Sequence, residues 1–328
     1  MPNNDYLLLL NALFYDSPKT AYLALSQFET ESEFSSNFST FLSTLKNKSQ
    51  DIYKKREASF TLTNYKNELK NKGIKALFLT DDHYPKDLKE IHFPPIVLFY
   101  KGNINLLSDP LIACVGPRKN SSYGTEVCEY FCNELLPYFR IVSGLAEGID
   151  TIAHKTALKR NEPTIAIIGN GFDTIYPYSN KQLYKDIETK GLLLSEFPPS
   201  VKPLPFHFPL RNRIVSGVSK GVLVCEASEK SGSLITANTA LEQNREVFVC
   251  PGSIFSDYSK GSNKLIQAGA KCVQTITDII NELNIKEAKF NVINKKSAQN
   301  SSTNNNALLN YLSKTPTDLE ELLQRSKE

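Results

Sequence analysis

The sequence predicts an α/β protein whose sheet is largely parallel and covered by helices on both faces. From about residue 75 to residue 283, short runs rich in β-branched residues alternate with helical stretches, a pattern typical of parallel sheets buried on both sides. Residues 1–72 lack this alternation and contain helix-compatible runs such as YLLLLNALFY. We therefore predict a small helical domain at 1–72 and an α/β domain at 73–285.

The strands of the α/β domain are predicted from its apolar runs. In chain order these are LIACVG, FRIVSG, TIAIIGNG, GLLLSE, GVLVCEA and EVFVCPG. Most of them end in a glycine just before the next helix. In an open α/β sheet, ligands bind at the carboxyl ends of the strands, where glycine lets the backbone approach and helix N-termini offer N–H donors. The sequence therefore predicts a ligand site at this edge.

Beyond the α/β domain the composition becomes polar. The stretch NKKSAQNSSTNNN is low in apolar residues and predicts a flexible linker at 286–306. Residues 307–328 form two short amphipathic segments, with Thr317 as a candidate N-cap. They are too short to bury a core, so we expect a short helical remnant that opens a domain the chain does not complete.

Composition limits the partners that the protein could have. With 328 residues, of which 41% are hydrophobic and 22% charged, the chain can bury one large core and one or two smaller ones. No apolar run approaches the roughly 20 residues of a membrane helix, and the N-terminus lacks the features of a secretory signal. We expect a cytoplasmic protein with no membrane partner. The net charge is +3, so a basic patch for a polyanion would have to be local.

The cysteines are expected to be reduced thiols in the core, because they include no CxxC pair and most lie in apolar runs. They are Cys114, Cys128, Cys132, Cys225, Cys250 and Cys272. We expect neither a disulfide framework nor a metal site.

The segment FPLRNRIVSG predicts an anion site. It places Arg211 and Arg213 at the start of a helix, where unsatisfied N–H groups already carry a partial positive charge. Two cations there would lower stability unless an anion compensates them. Other turns offer similar groups at strand ends or helix starts, namely Gly116, Arg118, Ser143, Gly144, Ser231, Gly232 and Ser233.

The motifs of known chemistry are missing from the sequence. There is no P-loop, no HExxH, no Cys/His cluster and no GxSxG, and GNGFDT is an incomplete dinucleotide fingerprint. His154 has no partner at metal spacing and is expected to be structural. Asp150 and Glu226 are expected to be caps or strand-end partners rather than an acid/base pair. We predict no catalytic residue, no metal and no cofactor.

The central block contains a series of motifs, which are in order YPKDLKEIHFPPIVLFYKGN, VGPRKNSSYG, VSGLAEGIDTIAHKTAL, TIAIIGNGFDTIYPYSN, LLSEFPP, FPLRNRIVSGVSKGVLVCEASEKSGSLITANTALEQNREVFVCPGSI and GSNKLIQAGAKCV. Taken together, these motifs resemble those of the DNA-processing protein DprA (Smf) family. The resemblance runs from about Tyr84 to Val273, and the ordered series is more specific than any single motif.

The resemblance implies an extended Rossmann fold that binds single-stranded DNA without sequence preference and has no enzymatic activity. It also implies that the protein protects incoming DNA in natural transformation and loads a RecA-type recombinase onto it. Residues 1–72 would be a SAM-like helical domain, and residues 307–328 the start of an incomplete winged-helix domain.

In the family, the DNA pocket uses the arginine after the first strand, a Ser-Gly turn and the FPxRNR segment. The matching residues are Arg118, Ser143, Gly144, Phe208, Arg211, Asn212 and Arg213. The anion expected at the FPLRNR helix is then a DNA phosphate, and Phe208 is expected to stack on a base. Members of the family form dimers through the far end of the α/β block, which places the predicted homodimer contact at Asn263, Ile266, Cys272 and Val273. The apolar residues of this set would suit the core equally well.

One position departs from the family pattern. The family usually has Ser or Thr before the first arginine, whereas this chain has Pro117, which removes a hydroxyl and a backbone N–H from the predicted phosphate site. We expect that turn to bind less tightly or to depend more on Arg118.

Two other function classes fit parts of the sequence. A nucleotide-cleaving enzyme of the phosphoribohydrolase type would use similar strand-end glycines, but SGSLITANTALE lacks the PGGxGTxxE-like turn that it needs. A scaffold that binds protein only would leave the three arginines as solvated charges. DNA affinity after their replacement distinguishes this scaffold from the mediator.

Overall fold

The structure is a computed structural model that describes residues 2–290. In this part of the chain a mixed sheet of nine strands has the order β1-β2-β6-β5-β4-β3-β7-β8-β9. The strands are β1 (Lys75–Phe78), β2 (Val97–Gly102), β3 (Leu111–Val115), β4 (Arg140–Ser143), β5 (Thr164–Ile167), β6 (Leu192–Ser195), β7 (Gly221–Val224), β8 (Glu246–Val249) and β9 (Lys271–Cys272). The predicted α/β class is confirmed. The predicted helical remnant and most of the linker lie outside the described residues.

Strand β2 pairs antiparallel with β1 and with β6, and the other pairings are parallel. β1, β2 and β9 are absent from the strands that the sequence predicts. β1 and β2 form an antiparallel extension outside the strand-helix alternation, and β9 has only two residues. Short strands of this kind carry little periodic signal.

Helices cover the sheet on both sides. They are α1 (Asn4–Phe14), α2 (Pro18–Gln27), α3 (Glu31–Ser43), α4 (Asn47–Ser59), α5 (Leu62–Asn71), α6 (Lys86–Lys89), α7 (Ser122–Leu135), α8 (Ile149–Lys159), α9 (Lys181–Lys190), α10 (His207–Gly217), α11 (Ser233–Glu242), α12 (Lys260–Gln267) and α13 (Ile276–Glu282). Because side chains alternate along a strand, Cys114 packs with α7 on one face, whereas its neighbour Ala113 packs with α10 and α11 on the other. No helix in residues 2–290 combines the length and apolarity needed to cross a bilayer.

The first five helices pack together through aromatic side chains and continue into the core of the sheet. Phe14 contacts Phe34 and Tyr53 edge to face, a geometry that adds to the free energy of burial. The same buried cluster contains Phe99 of β2 and Leu193 of β6. Helix α5 ends at Asn71 and β1 begins at Lys75, while the division into separate domains stays a prediction.

The cysteines lie mainly in the core between the sheet and α7. All except Cys272 are buried as free thiols, whereas Cys272 is exposed on β9. The Sγ atom of Cys132 is 3.7 Å from that of Cys114 and 3.9 Å from that of Cys128. In this core the thiols act as small apolar groups.

The order of the strands in the sheet reverses at β3. Strands β4, β5 and β6 follow it on one side, and β7, β8 and β9 on the other. The loops after β3 and β7 therefore diverge and leave a crevice at their carboxyl ends. This crevice is where an α/β sheet is expected to bind its ligand.

Candidate functional site

A cavity of about 600 Å³ opens at the carboxyl ends of β3, β4 and β7. One wall is the loop after β3, residues 116–119, and the opposite wall is the segment 228–233 that leads into α11. Gly144 and Arg211 form part of its floor. The structure thus brings together most of the residues that the sequence predicts for the site.

Three exposed cations line this cavity, namely Arg118, Lys119 and Lys230. Within residues 2–290 none of them forms an ion pair with a carboxylate. The sequence reasoning missed both lysines, although each directly follows or precedes a predicted site residue in PRKN and EKSGS. Uncompensated cations in a concave site attract an anion.

The loop that carries Arg118 is held by its neighbours. The buried carboxylate of Glu226 accepts hydrogen bonds from Ser121 N at 2.9 Å and Ser121 Oγ at 2.5 Å. Gly148, with φ of 75°, lies against the Pro117 carbonyl, which a Cβ at that glycine would approach to 2.3 Å. Pro117 itself lines the cavity. Glu226 is therefore a strand-end partner, as the sequence suggested.

Arg211 is a buried part of the cavity floor. Its Nη1 donates to the Gly144 carbonyl at 2.5 Å and to the Ile167 carbonyl, which caps the ends of β4 and β5. Asp150 accepts from Gly144 N at 3.1 Å and from Ala146 N at 3.3 Å. Burial lowers the pKa of Arg211 to about 10, although the Asp150 carboxylate opposes this shift. Arg211 thus fixes the 144–146 turn and stays charged at neutral pH.

Gly144 allows this close approach. A Cβ at residue 144 would lie 2.5 Å from Nη2 of Arg211, so any larger residue would displace the guanidinium. Gly116 has a similar role against Ile149. Both glycines line the cavity. Ser143 does not, because its side chain is buried and donates to the Cys114 carbonyl at 2.7 Å, and its role as a DNA contact stays a prediction.

Phe208 lines the cavity, but neighbouring side chains contact its ring. The Arg118 guanidinium lies 5.1 Å from the ring centroid, within cation–π range. The ring of Tyr176 lies 5.4 Å away at a tilt of 34°. Phe208 therefore positions Arg118 as well as offering an aromatic surface, and the sequence reasoning missed Tyr176.

Arg213 is absent from the lining of the cavity, and its role as a phosphate contact stays a prediction. Its Nη2 binds both carboxylate oxygens of Glu196 at 2.5 Å, and only 12% of its side chain is exposed. Residues two apart on a helix point to different sides, so Arg211 and Arg213 cannot both face the crevice. Asn212 does line the cavity and accepts from Arg211 Nε at 3.1 Å.

The segment 231–233 provides the start of α11. All three residues line the cavity, and the Oγ atoms of Ser231 and Ser233 are 2.7 Å apart. The first N–H groups of α11 already have acceptors: Ser233 N donates to Ser231 Oγ at 3.4 Å, and Leu234 N and Ile235 N donate to the carbonyls of Ser231 and Gly232, each at 3.1 Å. The groups that this segment offers to an anion are therefore the hydroxyls of Ser231 and Ser233.

The proposed dimer residues have different surroundings. Cys272 is exposed and Ile266 is partly buried against the core. Asn263 exchanges hydrogen bonds with the backbone of Gly252 at 3.1 and 3.3 Å. Val273 is fully buried in the core, as the alternative reading of the sequence allowed, and its place in a contact between two chains stays a prediction.

His154 is buried behind the site, with Nδ1 2.8 Å from Thr164 Oγ1. Its Nε2 has no hydrogen-bond partner in the described residues. Burial lowers the pKa of His154 from 6.5 to about 3, and the charge of Arg211 adds to this effect. No group of three or more potential ligands in residues 2–290 is placed to hold a metal ion. His154 is thus a neutral structural residue.

His154 predicts a loss of stability in acid. The unfolded chain binds a proton on this imidazole below about pH 6.5, whereas the folded protein does so only near pH 3. The stabilisation is complete above pH 6.5 and is lost towards pH 3 at up to about 1.4 kcal/mol per pH unit. Urea unfolding at several pH values should show that the free energy of unfolding falls less steeply with decreasing pH for His154→Asn than for the wild type. Equal slopes would contradict the neutral buried state.

Comparisons with known proteins show which family the chain resembles. A family model described as DNA recombination-mediator protein A matches residues 75–284. The chain is 49% identical over 204 residues to DNA processing protein DprA of Streptococcus pneumoniae, covering 62% of this chain and 72% of the relative. It is 46% identical over 223 residues to that of Bacillus subtilis, covering 67% and 75%.

Two solved structures are similar to the chain. The X-ray structure of DNA processing protein A from Streptococcus pneumoniae has a TM-score of 0.74 at 37% identity, covering 89% of this chain and all of the other. A structure of DNA processing protein A from Helicobacter pylori, described as revealing a single-stranded DNA binding mode, has a TM-score of 0.58 at 32% identity, covering 64% and 95%.

Proposed function

Since the chain belongs to the DNA recombination-mediator protein A family, we propose that its cavity binds single-stranded DNA without sequence preference. The proposal includes a cytoplasmic role without enzymatic activity, in which the protein protects incoming DNA in natural transformation and loads a RecA-type recombinase onto it. The observation that carries the DNA proposal is the crevice lined by Arg118, Lys119 and Lys230, three exposed cations that form no ion pair with a carboxylate in residues 2–290.

The groups of the cavity suit a phosphate backbone. Cations and the hydroxyls of Ser231 and Ser233 line an opening of about 600 Å³, and both kinds of group bind phosphate oxygens. Contacts to the phosphate backbone carry no sequence information, which favours binding without sequence preference. The relative from Helicobacter pylori binds single-stranded DNA, which supports the same ligand here.

Arg118 is expected to be the principal phosphate contact. It is exposed, whereas Arg211 is buried and already uses its donors on two carbonyl groups. The ring of Phe208 holds the Arg118 guanidinium over the cavity. Since Pro117 cannot donate a backbone N–H, this arginine carries more of the binding than a turn with Ser or Thr would require.

We also propose that the protein forms a homodimer through the edge of the sheet near β9. An exposed edge strand offers unpaired backbone groups to a second chain. Exposure of Cys272 on β9 and partial exposure of Ile266 support this location.

Fluorescence anisotropy of labelled oligo-dT and its duplex, titrated at several salt concentrations, tests the DNA proposal. Single-strand affinity should exceed duplex affinity and fall with salt at a slope of about −0.7 per neutralised phosphate. Arg118→Ala should weaken single-strand binding by about tenfold to a hundredfold and make the slope shallower by about 0.7.

The matched control is Lys190→Ala. Lys190 is exposed at the end of α9 beside Gly191, which contacts Thr164 at the amino end of β5 and so lies opposite the cavity. This variant should bind like the wild type. If Arg118→Ala binds single-stranded DNA as tightly as the wild type does, the phosphate-site proposal is contradicted. If the wild type binds duplex as tightly as single strands, the proposed selectivity for single strands is contradicted.

A further inference from the structure

The segment between β5 and α9 places two tyrosines beside the cavity. Tyr176 is 38% exposed and Tyr178 is 71% exposed. Tyr176 packs on Phe208, with ring centroids 5.4 Å apart, and Phe208 in turn lies under the Arg118 guanidinium. A series of aromatic rings therefore begins at the proposed phosphate contact and continues outward.

A second cavity of about 20 Å³ follows the same direction. It shares Arg118, Gly144 and Arg211 with the main cavity and adds Glu147 and Pro177 to the lining. The recess thus continues past Phe208 to the residue immediately before Tyr178. A strand that leaves the main cavity on this side would pass the two tyrosines.

The charged side chains beside this recess indicate which part of a DNA strand can lie against it. Glu147 accepts a hydrogen bond from Ser179 Oγ at 2.8 Å and forms no ion pair within residues 2–290. Its negative charge disfavours a phosphate beside Ser179, whereas the cation that favours a phosphate, Arg118, lies on the Phe208 side of the same recess. A nucleobase is uncharged and meets no such repulsion.

Tyr178 also has a cation next to its ring. Lys181 Nζ lies 5.3 Å from the ring centroid and 3.3 Å from the phenolic oxygen. This side chain can contact a phosphate on the outer side while the ring contacts a base. Aromatic surfaces interleaved with cations are the usual arrangement of binders of single strands.

We propose that Tyr178, supported by Tyr176, is a stacking platform for a nucleobase of the strand, next to the nucleotide whose phosphate binds Arg118. The inference rests on the proposed function, because it requires single-stranded DNA in the main cavity. Stacking on a tyrosine ring suits every base, so the platform adds affinity without adding sequence preference.

The experiment compares oligo-dT with a strand of equal length whose central nucleotides are abasic, so that the phosphates are retained and the bases removed. Tyr178→Ala should bind oligo-dT about tenfold more weakly than the wild type, with little change in salt slope. Tyr178→Phe keeps the ring and should bind within about twofold of the wild type. On the abasic strand Tyr178→Ala should cause no further loss.

A matched control is Tyr130→Ala, which removes a tyrosine that is 47% exposed on α7 and lines neither cavity. This variant should bind both strands like the wild type. If Tyr178→Ala binds oligo-dT normally while Arg118→Ala does not, the platform is refuted and the proposed function stands. Equal losses of Tyr178→Ala on both strands would refute stacking as the cause. Failure of the wild type to bind any strand would refute the proposed function, and the platform that rests on it.

Discussion

Replacing Arg211 with methionine is expected to lower the free energy of unfolding by about 3–5 kcal/mol. The substitution removes the cation beside the buried Asp150 carboxylate and leaves the carbonyls of Gly144 and Ile167 without this donor. An uncompensated charge in the interior is costly because water no longer solvates it. Urea denaturation monitored by circular dichroism measures the change.

Two further variants separate charge from packing at this position. Arg211→Lys keeps a cation but cannot reproduce the planar donors, so an intermediate loss is expected. Arg211→Met combined with Asp150→Asn should be more stable than Arg211→Met alone, because the unpaired carboxylate is gone while the amide oxygen still accepts backbone N–H groups. If the double variant is no more stable, the Asp150 charge is not what makes the single substitution costly.

Replacing Arg213 with methionine is also expected to lower the free energy of unfolding by about 3–5 kcal/mol, because it leaves Glu196 without its partner. Glu196 is 4% exposed, and burial raises its pKa while Arg213 opposes this shift. Without the arginine, the carboxylate must stay buried and unpaired or take up a proton. Denaturant unfolding at pH 7 gives the magnitude.

The ion pair on the surface between Lys271 and Glu282 provides the comparison. Their side chains are 48% and 36% exposed, so Lys271→Met should change stability by no more than about 1 kcal/mol. Combining Arg213→Met with Glu196→Gln should recover much of the loss, because a neutral amide is less costly to bury than an unpaired carboxylate. A loss for Arg213→Met as small as that for Lys271→Met would show that the buried pair is not important for stability.

Most of the α/β block could be predicted because its strands follow the alternation of apolar runs and glycine turns. The run LIACV, for example, is buried along its whole length as β3. The antiparallel strands β1 and β2 break the alternation, so no periodic signal pointed to them. Pairing between β2 and β6 joins residues about 95 apart, and such long-range contacts cannot be read from local pattern.

The site residues that could be predicted from the sequence are those that lie in a turn directly after a predicted strand. Arg118 lies in the turn after β3 and Gly144 follows β4 directly, and the fold brings both to the cavity. Sequence could not show that Tyr176 meets Phe208, since folding alone brings together two rings from separate segments. That Arg211 and Arg213 lie on different faces of α10, however, follows from their spacing of two residues in a helix and could have been predicted from the sequence.

The distribution of the thiols gives the chain a built-in attachment point. Cysteines in the core are shielded from reagents, whereas Cys272 on β9 is open to solvent. A maleimide dye should therefore attach at one position of the folded protein without any cysteine being engineered. Because β9 is the edge proposed for the dimer, protection of this thiol from alkylation would report directly on the association of two chains.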